Sequence, residues 1–289
     1  MKNSKLSIIT VSKNAGDTIE KTIQSVINQT YKNIEYIIID GASTDNTIEI
    51  INKYIGEITK FISEPDEGIY DGMNKGIDYS TGDWIYFLGA DDILFSNDII
   101  EKVFRLSFVD ENDIVYGDVK FKHSGIIYDG YFDIKKLTRQ NICHQAIFTK
   151  RKLFDQMDKF NLSYKVLADW NFNLRCMSNP EIKCAYVDLV ISEYNERGYS
   201  FHNKDDNFLH DHTDLLDVDI LISHGYVCEK TFNRLLDRNK ELLDQNKELL
   251  DHFKNIINSR DFIIGKYMLE PLRIIRRVFR KIIGYIKVI

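Results

Sequence analysis

Hydrophobic positions in the first hundred residues alternate between two patterns. Continuous β-branched and apolar runs, typical of buried strands, cover residues 6–12, 34–39, 61–62 and 84–88. The first run is followed by apolar residues at helical spacing, as at Ile19, Ile23 and Val26, and the next runs repeat this order. Such alternation of strands and helices predicts a doubly wound α/β fold with a Rossmann-like parallel sheet.

From Asp113 onward the runs become shorter and alternate between apolar and polar residues, which is typical of half-exposed antiparallel strands. We expect strands at residues 114–116, 119–121, 126–131, 145–149, 182–187 and 189–194, and helices at 151–157 and 168–177. The sheet is therefore expected to be mixed, with an antiparallel half following the parallel half. We place the end of this domain, residues 1–200, near Ser200.

The segment after this domain has a different pattern. Residues 201–230 are polar with helical spacing and are expected to form a connector. In residues 231–260 a leucine or isoleucine pair recurs every seven residues, and Asn239 and Asn246 fall at core a positions. This spacing predicts a coiled coil that forms a homo-oligomer, with the asparagines favouring a parallel dimer. The alternative is a helix that packs on its own domain.

The last segment, residues 261–289, is basic and amphipathic, with Pro271 suited to a first helical turn. Seven Lys and Arg against Asp261 and Glu270 give it a net charge of +5, which leaves −11 on the rest of a chain whose total is −6. Cationic amphipathic helices lie in anionic membrane interfaces. We expect this tail to bind the anionic inner face of a cell membrane.

Composition narrows the class of protein. The chain has four scattered cysteines with no C-x-x-C pair, which argues against a disulfide framework or a zinc site and fits a reducing cytosol. We expect no signal peptide, no membrane-spanning run and no nucleic-acid partner. The expected location is therefore cytoplasmic, and peripheral on the membrane.

A pair of acidic residues closes the apolar run in -STGDWIYFLGADDIL-. Asp91 and Asp92 follow a predicted buried strand, and ligands of open α/β sheets bind outside the carboxyl ends of the strands. Two adjacent carboxylates repel unless a cation lies between them, so a divalent ion that holds a diphosphate is one explanation. The other is a solvated turn in which Asp92 or Ser96 caps the next helix.

Three segments together resemble the inverting glycosyltransferases of family 2, which have a GT-A fold. They are -SIITVSKNAGDTIEKTIQSVINQTYKNIEYIIIDGASTDNT-, -SEPDEGIYDGMNKGI- and -GDWIYFLGADD-, in the expected order within residues 5 to 200. The resemblance implies that the parallel half of the sheet is a nucleotide-binding half and that the antiparallel half is an acceptor half. It implies a nucleotide-sugar donor, for which we expect UDP. It also implies a Mn²⁺ or Mg²⁺ cofactor.

The resemblance carries over to individual positions. It places the first strand and its loop against the donor, Asp40 on the nucleobase, Asp91 on the ribose or a metal-bound water, and Asp92 on the metal. The candidate donor-binding residues are Thr10, Val11, Lys13, Asp40, Asp66, Tyr70, Lys75, Asp91 and His144. Within this set a lysine can meet the diphosphate as a point charge, and an aspartate can accept the N3–H of uracil.

Two positions depart from the family pattern. The family often has an acidic residue where Gly89 stands and an aromatic residue where Lys13 stands. The first departure leaves the metal's ligand set open, and the second leaves open how the base is stacked. An ordinary surface lysine is the alternative for Lys75, and a structural histidine is the alternative for His144.

Asp169 is the candidate general base. It stands at the head of a predicted helix in -KVLADWNFNLR-, where the family resemblance places its catalytic Asp, and Trp170 is expected to wall the site. The alternative is that Asp169 only caps the helix. Glu64, Asp66 and Asp71 are competing acids.

The predicted function is transfer of a sugar, with inversion, from a nucleotide donor to a hydroxyl of a glycan acceptor that is lipid-linked, in bacterial surface polysaccharide synthesis. A sugar nucleotidyltransferase is an alternative, although Lys13-Asn14-Ala15-Gly16 is not the Gly-rich phosphate loop that this class needs. A non-catalytic oligomeric scaffold that binds a nucleotide sugar is a second alternative.

Overall fold

The computed structural model describes residues 4–196, 198, 205–212 and five residues between 241 and 248. The chain divides into two compact units, Met1–Tyr226 and Val227–Ile289. The five described residues of the second unit are helical. The predicted coiled coil of residues 231–260 lies almost wholly outside the described residues, and the predicted tail of 261–289 lies entirely outside them.

Nine strands of the described residues form one mixed sheet. They are β1 (Leu6–Ser12), β2 (Ile34–Asp40), β3 (Lys60–Ser63), β4 (Trp84–Phe87), β5 (Ile93–Leu94), β6 (Ile114–Phe121), β7 (Ile127–Tyr128), β8 (Ile147–Lys150) and β9 (Cys184–Tyr194). Their order is β3-β2-β1-β4-β8-β6-β9-β5, with β7 paired to β6. β1 is parallel to β2 and β4, whereas β8 is antiparallel to β4 and β6, so the predicted mixed sheet is confirmed.

Helices connect the strands and cover the sheet. They are α1 (Ile19–Ile27), α2 (Thr47–Lys53), α3 (Ile69–Tyr79), α4 (Ile99–Phe104), α5 (Ile134–Leu137), α6 (Lys152–Gln156), α7 (Ala168–Met177) and α8 (Asp206–Asp211). Two short 3₁₀ turns occupy Val109–Glu111 and His144–Ala146. Within the described ranges, no helix is both long enough and apolar enough to cross a membrane.

The close approach of α3 to the sheet depends on two glycines one helical turn apart. A Cβ on Gly72 would lie 2.6 Å from Cγ1 of Val11, and a Cβ on Gly76 would collide with Ile9. Because both contacts are to side chains of β1, the two glycines let the helix axis come nearer to the strand than any larger residue would allow. This contact fixes where the first turn of α3, with Tyr70 and Asp71, sits relative to the strand ends.

The predicted elements differ from the observed ones mainly in the acceptor half. Residues 114–116 and 119–121 belong to one strand, β6, whose register with β9 shifts on both sides of Asp118. Residues 182–187 and 189–194 likewise merge into β9. The sequence pattern breaks at polar residues of these strands, because an irregular register changes which side chains face the core. The strand expected at 126–131 shortens to β7, and β5 was not predicted.

Candidate active site

The carboxyl ends of β1, β2 and β4 meet at one edge of the sheet because the three strands are parallel. Ser12 at the end of β1 is the register partner of Asp40 at the end of β2. The chain leaves β4 at the same edge and turns through Asp91 and Asp92. This is the edge at which open α/β sheets bind ligands.

Asp40 has a different environment from the expected one. It is fully buried, and its Oδ1 accepts hydrogen bonds from the hydroxyls of Ser12 at 3.0 Å and Ser43 at 2.5 Å. Its Oδ2 accepts the Ser43 backbone N–H at 2.9 Å and the Ser63 hydroxyl at 2.7 Å. Four donors on two oxygens tie together the last residues of β1 and β3 and the loop after β2. The contact of Asp40 with a nucleobase stays a prediction, beside this structural role.

The other predicted residues of the first strand face different surroundings. Thr10 is buried, with its hydroxyl 3.3 Å from that of Tyr36. Val11 packs against Gly72 of α3. Lys13 is more than half exposed, and its Nζ lies 3.8 Å from Oδ1 of Asp66. Lys13 and Asp66 therefore lie together at the edge where a donor is expected, while the side chain of Thr10 points into the core.

Lys75 lies within a group of acids. Its Nζ is 3.0 Å from Oε1 of Glu64, 3.3 Å from Oδ2 of Asp71, and donates to the carbonyl of Pro65 at 3.0 Å. The pKa of Lys75 is raised by its hydrogen bond to Glu64 and, to a smaller extent, by Asp71. These partners neutralise the charge that was expected to meet the diphosphate, so in this structure Lys75 stabilises the loop before α3.

Asp91 and Asp92 have unequal exposure. Asp92 is 1% exposed, and its two oxygens accept the backbone N–H of Asn195 and Nε2 of Gln145, each at 2.7 Å. Burial first and the charge of Asp91 second raise the pKa of Asp92 to about 6. Asp91 is only partly buried, and its Oδ2 accepts Nδ2 of Asn195 at 2.8 Å. Asp91, not Asp92, is thus the more accessible carboxylate for a cation.

Asp169 lies at the start of α7, as predicted, and is 7% exposed. Its Oδ1 accepts the hydroxyl of Tyr70 and the backbone N–H of Trp170, both at 2.8 Å. Its Oδ2 lies 3.4 Å from Nδ1 of His144. One oxygen is therefore held by two donors, while the other faces an imidazole.

The 3₁₀ turn His144–Ala146 links the two acidic groups. His144 contacts Asp169, and the next residue, Gln145, donates to Asp92. Nε2 of His144 is buried and, among the described residues, has no hydrogen-bond partner. A buried polar atom without a partner is costly, so it marks a position where a ligand group would be stabilised. The structure thus brings His144, Asp169, Asp91 and Asp92 into one site.

Two residues expected to face the donor or to wall the site contact the protein interior in this structure. Tyr70 was placed among the donor-binding residues, but it is 5% exposed and its hydroxyl contacts Asp169 and the carbonyl of Val166. Trp170 was expected to wall the site, but its Nε1 donates to the carbonyl of Leu137 and its ring stacks on Phe208 at 5.2 Å. Both side chains are large and amphipathic, and both bury their rings because their polar atoms find partners in the core.

Gln145 and Asn195 are hydrogen-bond donors to the Asp91–Asp92 pair, a contact that the sequence did not reveal. Each donates to the Asp91–Asp92 pair from another part of the chain. The one available signal was that Gln145 follows His144 at a strand start. Among the described residues there is no group of three or more His, Cys, Asp or Glu side chains arranged to hold a metal.

Comparison with known proteins agrees with this geometry. Residues 7–163 match the family model described as glycosyl transferase family 2. A PGL/p-HBAD biosynthesis glycosyltransferase of Mycobacterium bovis is 41% identical over 199 residues, which cover 66% of this chain and 77% of the relative. An uncharacterised glycosyltransferase of Mycobacterium tuberculosis is 30% identical over 210 residues, 69% of this chain and 78% of its own length. The chain belongs to glycosyl transferase family 2.

Solved structures of glycosyltransferases share the fold at low sequence identity. The S. aureus TarS 1–349 structure in complex with UDP-GlcNAc has a TM-score of 0.63 and 17% identity, over 75% of this chain and 66% of that chain. A mannosyltransferase from Pyrobaculum calidifontis, in complex with GDP-Man and Mn²⁺, has a TM-score of 0.55 and 16% identity, over 69% and 59% of the two chains. The predicted GT-A-like fold is confirmed.

Proposed function

We propose that this glycosyltransferase moves a sugar from a UDP-sugar to a hydroxyl of a glycan acceptor with inversion, and that Asp169 is its general base. The observation that supports this most is the turn at His144 and Gln145, which joins the buried Asp169 to the Asp91–Asp92 pair. A carboxylate for proton removal and a carboxylate pair suited to a cation that holds a diphosphate thus share one site. Direct displacement needs both.

The reaction follows from the two oxygens of Asp169. Oδ2, which is not held by Tyr70 or Trp170, takes the proton of the acceptor hydroxyl. The acceptor oxygen forms a bond to the anomeric carbon as the bond from that carbon to the diphosphate breaks, and UDP leaves. A single carboxylate is sufficient because no covalent sugar intermediate is formed, and attack from the face opposite UDP inverts the anomeric centre.

A divalent cation, Mn²⁺ or Mg²⁺, fits the Asp91–Asp92 pair. Carboxylate oxygens are the ligands that these ions prefer, and the charge of Asp91 already disfavours ionisation of the buried Asp92, a repulsion that a cation relieves. Because both oxygens of Asp92 accept N–H groups, we place the ion on Asp91, with Asp92 holding the turn. When bound, the ion supplies positive charge to the departing diphosphate.

The nucleotide and the acceptor are proposals of different kinds. UDP is favoured by the TarS complex with UDP-GlcNAc, although the mannosyltransferase of similar fold binds GDP-Man. The basic tail of residues 261–289 favours a location on the inner face of the cell membrane, and therefore a lipid-linked acceptor. Vesicle co-sedimentation that does not change when this tail is deleted would refute the membrane proposal.

Self-association through residues 231–260 is a further part of the proposal. Leu242, at a predicted core position of the repeat, is 49% exposed in the single chain. A leucine of this kind is buried when two coiled-coil helices pair. Light scattering of a chain truncated at Thr231 should show a smaller oligomer than the full chain, and equal monomer masses would contradict the coiled coil.

Release of UDP from a panel of UDP-sugars, measured without acceptor, tests the function. We expect release with at least one sugar in Mn²⁺ or Mg²⁺, loss of release in chelator, and loss of release in Asp169→Asn. Release only from GDP-sugars would change the nucleotide. Formation of a UDP-sugar and pyrophosphate from UTP and a sugar 1-phosphate, without any transfer, would instead favour the nucleotidyltransferase.

A further inference from the structure

Tyr70 reaches Asp169 from the other half of the domain. It lies in the first turn of α3, whereas Asp169 begins α7, and its ring packs on Phe160 with centroids 5.3 Å apart. The hydroxyl lies 2.8 Å from Oδ1 of Asp169 and 2.6 Å from the carbonyl oxygen of Val166. One buried phenol thus stands between the candidate base and the loop that leads to it.

A phenol has one proton, so Tyr70 donates to one of these two acceptors at a time. An ionised carboxylate is the stronger acceptor, since hydrogen bonds to charged groups are stronger than those to neutral ones. Burial first and the charge of Asp169 second raise the pKa of Tyr70 well above its usual value. The hydroxyl therefore keeps its proton over the pH range in which the enzyme works.

We infer that Tyr70 is a positioning residue that orients the carboxylate of Asp169 and leaves Oδ2 as the oxygen that accepts the proton. The inference rests on the proposed role of Asp169 as the base. Tyr70 and the Trp170 amide occupy Oδ1 with two donors, so the basic lone pairs of Oδ2 remain on the side of His144. When Oδ2 takes a proton the charge disappears, and the Tyr70 hydroxyl can turn to Val166.

Other ionisable groups lie near Tyr70 and Asp169 and influence the pH dependence of both. His144 faces Oδ2 from the 3₁₀ turn, and the charge of Asp205, which precedes α8, acts on Tyr70. The thiol of Cys143 has its pKa raised by burial and then by Asp169, so it stays neutral. None of these groups replaces Tyr70 as a donor to Oδ1 in the hydrogen bonds of the described residues.

The test is the pH profile of kcat/KM for Tyr70→Phe. The variant keeps the ring but has no hydroxyl to donate to Oδ1 of Asp169. Because a hydrogen bond to a carboxylate favours its charged form, we expect loss of this bond to move the acid limb to higher pH by about one unit. We also expect kcat on the plateau to fall about tenfold, from lost orientation, with UDP affinity unchanged. Tyr116→Phe is the matched control, because Tyr116 is also buried and its hydroxyl, within the part of the chain that the structure describes, forms hydrogen bonds to the backbone of Phe132 and to no carboxylate.

An acid limb at the wild-type pH in Tyr70→Phe overturns the inference, whatever happens to kcat, because loose packing lowers the rate equally at every pH. Should Tyr70→Phe fail to fold, 3,5-difluorotyrosine at position 70 is a second test. Its more acidic hydroxyl donates more strongly, so the limb should move to lower pH, and no movement refutes the inference. Asp169→Asn measured alongside separates the two claims: near wild-type transfer refutes the base itself, whereas an inactive Asp169→Asn with an unmoved limb refutes only the role of Tyr70.

Discussion

Asp40 in the nucleotide-binding half and Asp169 in the acceptor half are both buried carboxylates, and they differ in how their oxygens are used. Asp40 accepts two hydrogen bonds on each oxygen, from Ser12, Ser43 and Ser63. Asp169 accepts two on Oδ1, while among the described residues Oδ2 has the imidazole of His144, at 3.4 Å, as its one polar neighbour. Both oxygens of the first carboxylate are saturated with donors, whereas one oxygen of the second is not, as the proposed role of Asp169 as a base requires.

Because of this difference, we expect loss of the Asp40 charge to lower stability and loss of the Asp169 charge to lower the reaction rate. Removing an acceptor whose donors are buried leaves those donors unsatisfied, which costs stability. Removing a base costs rate, because the acceptor proton then has no positioned group to receive it. The two halves should therefore respond in opposite ways to the same Asp-to-Asn change.

The largest effect is expected for Asp169→Asn. The amide keeps the shape of the side chain and an oxygen for Tyr70 and Trp170, but it cannot take a proton, so kcat should fall about 10² to 10⁴-fold. Because Leu167, and not Asp169, is the N-cap of α7, and the amide oxygen still accepts both hydrogen bonds, stability should change by about 1 kcal/mol or less. Single-turnover rates with saturating donor, together with UDP affinity, measure both. If the variant transfers sugar at near wild-type rate, Asp71 becomes the next candidate.

Asp40→Asn should show the opposite result. In either orientation of the new amide, its NH₂ group replaces an oxygen that accepted two hydrogen bonds, and so it faces two donors. If it replaces Oδ2, one of these donors is the backbone N–H of Ser43, which cannot rotate away. We expect unfolding free energy to fall by about 1 to 3 kcal/mol in urea titrations. Asp155→Asn is the control, since that side chain is 61% exposed and should change stability by less than about 0.5 kcal/mol. Wild-type stability in Asp40→Asn would break the comparison.

Asp92 should make the domain less stable as pH rises through its folded-state pKa. That pKa is raised to about 6 by burial and by Asp91, whereas an unfolded aspartate ionises near 3.8. The folded state therefore binds more protons between these values, so this contribution to stability is complete below about pH 4 and is lost above about pH 6. Urea unfolding in chelator from pH 4 to 7 should show a steeper decline for wild type than for Asp92→Asn. Parallel curves would contradict it.

The smallest effect is expected for Lys75→Met. Its partners Glu64 and Asp71 are partly exposed, and exposed ion pairs contribute about 0 to 1 kcal/mol. The KM for the donor should stay near the wild-type value, because the ammonium is engaged by these acids. A tenfold rise in this KM, with unchanged stability, would instead restore the predicted contact with the diphosphate.

The sequence predicted the parallel half of the sheet and the place of Asp169, because strand runs and a helix start are local patterns. It could not predict that Tyr70 contacts Asp169, since the two residues are 99 positions apart and nothing local marks the contact. Likewise, the saturation of Asp40 depends on Ser12 and Ser63, which come from neighbouring strands. The three-dimensional structure is needed to show that both oxygens of Asp40 are saturated with hydrogen-bond donors and that one oxygen of Asp169 is not.

The central claim is that one carboxylate, Asp169, serves a direct displacement at the anomeric carbon. Proton NMR of the sugar in the first product, recorded before anomers equilibrate, tests this most directly. From an α-linked UDP-sugar, the account predicts a β-configured product, from acceptor or from water, and about 10² to 10⁴-fold slower formation of this product with Asp169→Asn. An α-configured product would require a covalent intermediate or a front-face attack, and would contradict the account.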